Sequence, residues 1–489
     1  MPSNSAPARI GKRALTVTVG LAGVALTVGI VGGGVTLPWP TITASPASPA
    51  SQVVAPMPSE QQRVCPGPVL NLAEDSSQAQ AATSVGQAEA VHIARSTAAS
   101  DTALPITERD LTGVDDSSGA AAPLVLSLLA EPGATEAPLI AGSQSQTLAT
   151  ETLAGFTAAA CAEATSDAWL VGGSTDVGRT SLVLLSNPTT VLATVDISVF
   201  GEAGIVDAPG ATGILVQPGE QRIVSLAGLA PNLMSPVVHV QSSGGQTSAT
   251  LEQSSIRGIE PDGLELIASS ARPDFRQVIA GVRLLSSPAA DANGTDAGLP
   301  EGTPSVRVLV TGTEPATVQV GVVSTTAGTA GTSREVELEP GIATDIPLPD
   351  LTEGTFSIEV TSDQPVVAAA RTETTGTANK DFSWFTASEA LTDDFLVSVA
   401  PGPGPVLHLV NTATTDARIS LAPEGGTRVT IAVPAGAPVD VPLIAGTNYA
   451  VTGAEAIVAA VGYSGDGALS SFAVRPAGPL AAPITVYVH

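Results

Sequence analysis

The chain has 489 residues, enough for several domains, and 46 acidic residues against 19 basic ones give it a net charge of −27. Only two lysines occur, Lys12 and Lys380, so the clustered cations that nucleic acid and anionic headgroups require are missing and both partners are excluded. With aromatics at 3% and Gly 49 and Pro 39 in number, the remaining small, β-branched and turn-forming residues suit many short strands and not a helical bundle.

The first 13 residues carry Arg9, Lys12 and Arg13 and read as a basic cytoplasmic tail (1–13). They precede "ALTVTVGLAGVALTVGIVGGGVTL", Ala14 to Leu37, 24 residues without a charge. About 20 apolar residues cross a bilayer, whereas a cleaved signal has a shorter apolar core. Residues 14–37 therefore predict a transmembrane anchor, with the basic flank inside and the rest of the chain extracellular. Small residues in "TASPASPA" (43–50) leave secretion after signal cleavage as the alternative. The Pro-, Ala- and Ser-rich stretch 38–63 cannot build a core and predicts a semi-extended stalk.

Cys65 and Cys161 are the two cysteines of the chain. In an oxidising compartment they predict one disulfide, closing an N-terminal β domain over 64–165. Within it "GPVLNLA" (67–73), "PLVLSLLAE" (123–131) and "FTAAACAEA" (156–164) read as strands, and 77–99 as strand or helix. The domain reads as a degenerate copy of the repeat unit that occupies the rest of the chain.

From Ala168 onward a pattern repeats three times, over 168–272, 275–391 and 394–489. Each copy opens on an apolar strand: "AWLVGG" (168–173), "RQVIAGVRLL" (276–285), "DFLVSVA" (394–400). A strand, a polar turn and an alternating strand come next, as in Thr194-Val195-Asp196-Ile197-Ser198-Val199. A turn at Pro218-Gly219, Pro340-Gly341 or Pro434-Ala435-Gly436 then separates two more strands, and a final hairpin closes the unit. Alternation between turn signals marks strands with one buried face. About seven strands in roughly 100 residues predict an all-β chain of tandem immunoglobulin-like β-sandwiches, with a closed β-propeller-like array as the alternative.

Several stretches invite chemistry. Gly173-Ser-Thr-Asp-Val-Gly178-Arg179-Thr180 has P-loop spacing, but Arg stands for Lys, Asp176 sits in the anion cradle, and a strand comes after it where a helix is needed. It reads as a joint between strands. Asp291–Asp296 offers oxygen ligands without the Gly and closing Glu of a calcium loop. Asp115-Asp116 and Asp393-Asp394 are the pairings a chain rich in acids produces, not a glycosidase pair. His239 and His408 lie on predicted strands with no nucleophile marked beside them. Trp169, Phe382, Trp384 and Phe385 read as packing between neighbouring units in preference to sugar-stacking faces.

"VCPGPVL", "DAWLVGGSTDVGRTSLVLLSNPT", "VQPGEQRIVSLAGLAP" and "SDQPVVAAARTE" resemble a family of actinobacterial secreted or membrane-anchored proteins of unknown function, over roughly 64–489. The unit is also similar to an extracellular repeat of bacterial surface proteins that opens on a Trp-bearing strand. The second and third copies depart from it, with Val278 and Phe395 near the Trp position. The resemblance implies an envelope location and transfers no catalytic residue. The expectation is an anchored envelope scaffold or interaction protein. It has no enzymatic activity, cofactor, metal, nucleotide or nucleic-acid partner, and engages a cell-wall or envelope-protein partner. A wall-carbohydrate-binding array is the alternative.

Overall fold

The computed structural model describes residues 51–54, 60–72, 82–118, 121–129, 137–285, 302–326, 331–348, 351–377, 379–475 and 484–487. The tail over 1–13, the anchor over 14–37 and most of the stalk lie outside these residues. No helix among the described residues is long and apolar enough to cross a membrane. The described chain is all β apart from one four-residue helix, and its sheets are small, with no closed barrel.

One small unit holds β1 (Ser51–Val54) paired antiparallel with the last strand of the chain, Ile484–Tyr487. That corrects two expectations: part of the stalk stretch is a strand, and the third repeat does not run to the end of the chain.

The other unit, Pro56–Ala482, contains four blocks. The N-terminal block has β2 (Gln61–Cys65), β3 (Leu70–Leu72), β4 (Ala82–Ser84), β5 (Glu89–Arg95), β6 (Thr107–Asp110), β7 (Thr112–Gly113), β8 (Leu124–Leu128), β9 (Leu139–Ala149) and β10 (Ala154–Ala160). Block one has β11 (Asp167–Val171), β12 (Arg179–Ser186), β13 (Ala193–Gly201), β14 (Gly204–Val206), β15 (Ile214–Val216), β16 (Glu220–Ser225), α1 (Leu226–Leu229), β17 (Val237–Gly244), β18 (Ser248–Arg257) and β19 (Glu260–Ala268). Block two has β20 (Asp274–Leu284), β21 (Ser305–Val310), β22 (Ala316–Ser324), β23 (Thr332–Leu338), β24 (Ala343–Pro347), β25 (Gly354–Thr375) and β26 (Lys380–Thr386). Block three has β27 (Phe395–Val399), β28 (Val406–Asn411), β29 (Ala417–Pro423), β30 (Val429–Val433), β31 (Pro438–Pro442), β32 (Thr447–Thr452), β33 (Ile457–Gly465) and β34 (Ala468–Val474); the terminal strand is β35 (Ile484–Tyr487).

One pairing order recurs. Block three pairs β27-β32-β29-β30 and β31-β28-β33-β34; block one pairs β11-β17-β13, edged by β14 and β15, and β16-β12-β18-β19. Block two has the same order, except that the 22-residue β25 runs unbroken through both sheets. The N-terminal block keeps a reduced version, β2-β8-β6 and β5-β9-β10. Alternation builds the sandwich interiors: in β13, Val195, Ile197 and Val199 are buried, while Thr194, Asp196 and Ser198 point outward. The stretch expected to form the closing hairpin instead carries the chain from one sheet to the other. β17 pairs with β11 and β13, whereas β18 pairs with β12 and β19.

A further strand closes each block beyond the expected seven: β10, β19, β26 and β34. These four meet, β10 and β26 each packing against both β19 and β34. Around them, each block lays the outer face of its second sheet on the opening segment of the block before it. Leu182 and Leu184 pack on Leu70 and Ala82, Val367 and Ala369 on Leu170 and Val171, and Val410 and Ala460 on Val278 and Ala280. Ile93 of the N-terminal block packs on Leu396 and Ala450 of block three, which closes the ring. Small residues such as Ala369 and Ala460 let two sheets approach without voids.

Candidate functional site

The ring's axis is polar. Register places Thr157, Glu265, Ser383 and Ser470 at equivalent points of the four inner strands. All four are fully buried. Glu265 Oε1 accepts hydrogen bonds from Thr157 Oγ1 at 3.1 Å and Ser470 Oγ at 2.8 Å. One step along, Asp381 is 1% exposed and accepts four backbone N–H bonds. Oδ2 takes those of Phe156 (2.9 Å) and Leu469 (3.1 Å), and Oδ1 those of Leu264 (3.3 Å) and Phe382 (3.0 Å). One carboxylate thus ties together all four blocks. Burial pushes both carboxyls well above the usual range, and the hydrogen bonds to each oppose that rise. Both groups hydrogen-bond to neighbouring blocks, so the axis acts as a fastener between them.

A second buried polar centre joins blocks one and two. Arg307, 3% exposed, uses all five of its donors. Nε and one Nη bond Asp345 at 2.8 and 3.0 Å, and the rest reach the carbonyls of Gly173 (2.8 Å), Pro236 (3.0 Å) and Met234 (3.1 Å). The guanidinium lies 4.5 Å from the Trp384 ring centroid. Burial pushes the Asp345 carboxyl up, but the charge and bonds of Arg307 overcome it and hold the group below its ordinary value.

This places the P-loop-like stretch. Gly173, at φ +82°, turns the chain out of β11 and aims its carbonyl at Arg307. Thr175 is fastened to Leu233 and Ala230, and Arg179 opens the strand β12, where a phosphate loop needs a helix. The stretch is a joint seated between blocks. Arg179→Ala is expected to change unfolding stability by less than about 0.5 kcal/mol. ATP or GTP with magnesium is expected to leave the melting temperature of both proteins unmoved; a nucleotide-dependent rise lost in the variant would reverse this reading.

The other sequence candidates sit apart. Cys65, ending β2, and Cys161, just after β10, form the disulfide, with S–S 1.98 Å across 96 residues. His239 faces Asp167 at 2.9 Å and stacks on Trp169 at 3.9 Å. Asp115 bonds Arg222 and the Ile223 N–H, Asp116 bonds Ser84 and Ser118, and Asp394 accepts the Gly453 N–H. Each carboxylate holds a turn or a neighbouring block. Asp291–Asp296 lies outside the described residues. Trp384 packs between blocks, while Trp169 packs in the core of its own. Among the described residues no group of three or more His, Cys, Asp or Glu is placed to hold a metal. Sequence reasoning missed Arg307, Asp381 and Glu265; a lone Arg within "VRVLV" was the one signal the sequence offered.

Between blocks two and three a cleft of about 290 Å³ opens beside Arg283, Thr355, His408 and Asp440. His408 Nδ1 stands 2.7 Å from Asp440 Oδ1.

The chain matches, over residues 111–444, the family described as "Family of unknown function (DUF5719)". No curated protein matches it. Among solved structures, "Crystal Structure of Thermotoga maritima 1070" is similar at 16% identity over 24% of this chain and 93% of that one, with a TM-score of 0.19. A "Biofilm associated protein - BSP domain" is similar at 9% identity over 88% of this chain and 98% of that one, with a TM-score of 0.13. At those scores neither likeness bears on fold or role.

Proposed function

The chain belongs to this family of unknown function, and from that premise we propose that it is an extracytoplasmic cell-envelope scaffold or interaction protein without catalytic activity. Its working part is a closed, propeller-like ring whose blades are immunoglobulin-like sandwiches. The observation that carries this reading is where the buried polar groups point: Arg307, Asp381 and Glu265 all join one block to another. Such groups make a rigid body with a fixed outer surface, which is what a scaffold presents. The disulfide suits an oxidising compartment, and the net charge of −27 suits a soluble surface that does not seek nucleic acid. In this reading residues 14–37 anchor the protein and a wall or envelope protein is its partner.

External protease on intact, wall-stripped cells is expected to remove the part of the chain after residue 37. Crosslinking in those cells, with mass spectrometry of the products, is expected to recover an envelope component. Full protection of the chain from protease would overturn the placement.

A further inference from the structure

The four blocks repeat closely enough that one interface serves as a template for another. Register makes Arg307 and His408 equivalent: each lies directly opposite an aspartate of the next strand, Asp345 or Asp440, and an alanine of the other neighbour, Ala369 or Ala460. Along the same ladders, Arg371 corresponds to Gly462 and Trp384 to Ser471. Between blocks one and two the large members Arg307, Arg371 and Trp384 fill the space. Between blocks two and three the smaller His408 and Gly462 stand there and line the cleft of about 290 Å³, while Ser471 is buried opposite Gly462 in the ladder.

The vacancy is built in on both sides. A Cβ on Gly462 would stand 2.7 Å from His408 Nε2, so a side chain there cannot coexist with the histidine as placed. Gly281 of block two, at φ +73°, passes so close that a Cβ would lie 2.2 Å from His408 Cδ2. His408 is therefore gripped, with Asp440 fixing its Nδ1. In the neutral ring, an Nδ1–H donated to Asp440 leaves Nε2 as an acceptor. Across the cleft, Arg283 donates to Thr355 Oγ1 at 3.2 Å and lies 3.9 Å from the exposed Glu353. Its Nε is buried, with no hydrogen-bond partner among the described residues, so the Nη end is what Arg283 offers the cleft that it lines.

From this we propose that the cleft binds a small hydroxy-carboxylate of hexuronic acid size, its carboxylate on Arg283 and a hydroxyl donating to His408 Nε2. The cleft lies at the small end of ligand pockets, room for one sugar ring. A planar carboxylate matches the guanidinium fork, and a hydroxyl matches an imidazole held as acceptor. The proposal goes beyond the scaffold reading and does not depend on it.

Calorimetric titration of the full chain with D-glucuronate, D-glucose and acetate tests it. Saturable binding is expected for glucuronate, about tenfold or more tighter than for either other probe. It is expected to be lost in Arg283→Gln and in Ser471→Trp, which restores the side chain of the filled interface, and kept in Arg179→Ala. Circular dichroism melting confirms that each variant is folded; if Ser471→Trp is not, Arg283→Gln decides alone. No saturable heat with glucuronate, equal affinity for glucose or acetate, or undiminished binding in Arg283→Gln would each overturn the assignment.

Discussion

Asp381→Ala is expected to unfold the ring or to cost it about 4 kcal/mol or more. The substitution leaves the N–H groups of Phe156, Leu264, Phe382 and Leu469 buried without an acceptor. Each such group costs about 1–3 kcal/mol. Urea unfolding of the full chain measures the loss as a lowered midpoint, and amide exchange at the four positions shows whether it begins at the axis. Glu265 supplies the contrast. Its carboxyl is raised by burial, so the folded state holds a proton that the unfolded state releases. The stability it contributes is fully present below the ordinary carboxylate range and is lost as pH rises through the raised folded value. Glu265→Gln keeps an acceptor for Thr157 and Ser470 and is expected to flatten that decline. An unchanged slope of stability against pH in the variant would place the titrating group elsewhere.

Arg307→Ala is expected to cost about 3 kcal/mol, because it strands the half-buried Asp345 and leaves three carbonyls without their donor at once. Arg307→Lys keeps the charge but loses the planar fork that reaches Asp345, Gly173, Pro236 and Met234 together. It is expected to recover only part of the loss. Thermal unfolding of the three proteins ranks them, and a lysine variant as stable as the parent would show that the charge alone matters.

The strands with one wet face were legible. Val195, Ile197 and Val199 alternate with polar neighbours because one side of β13 meets solvent, and the same holds for Val318, Val320 and Val322 in β22. β2 starts at Gln61, inside the stretch read as stalk, and β11 starts at Asp167. Of the four inner strands, β10 was legible in "FTAAACAEA" but the other three were not. "EPDGLELIA", "KDFSWFT" and "ALSSFAV" carry acids and serines where a buried strand ordinarily carries valine and leucine. Glu265 meets Thr157 and Ser470, 108 and 205 residues away in other blocks, and Asp381 meets Leu469 at a separation of 88; no local pattern announces such partners. Ring closure was hidden for the same reason. It rests on alanines and glycines, Ala369, Ala460 and Gly281 among them, which in a sequence look like absence of information but in the fold set how near two sheets can come.

A ring sealed by its first block against its last fixes the number of its repeats. In an open string of sandwiches, duplication or deletion of a copy leaves each neighbour as it was. Here a fifth copy would have no place at an axis where one aspartate reaches four strands, and a missing copy would leave Ile93 and Leu396 facing water. Loops such as the turns between β13 and β16 can lengthen without disturbing that axis, but the number of blocks around it cannot change. The matched family stretch 111–444 begins inside the N-terminal block and ends before β32. The four blocks of the ring run from β2 to β34.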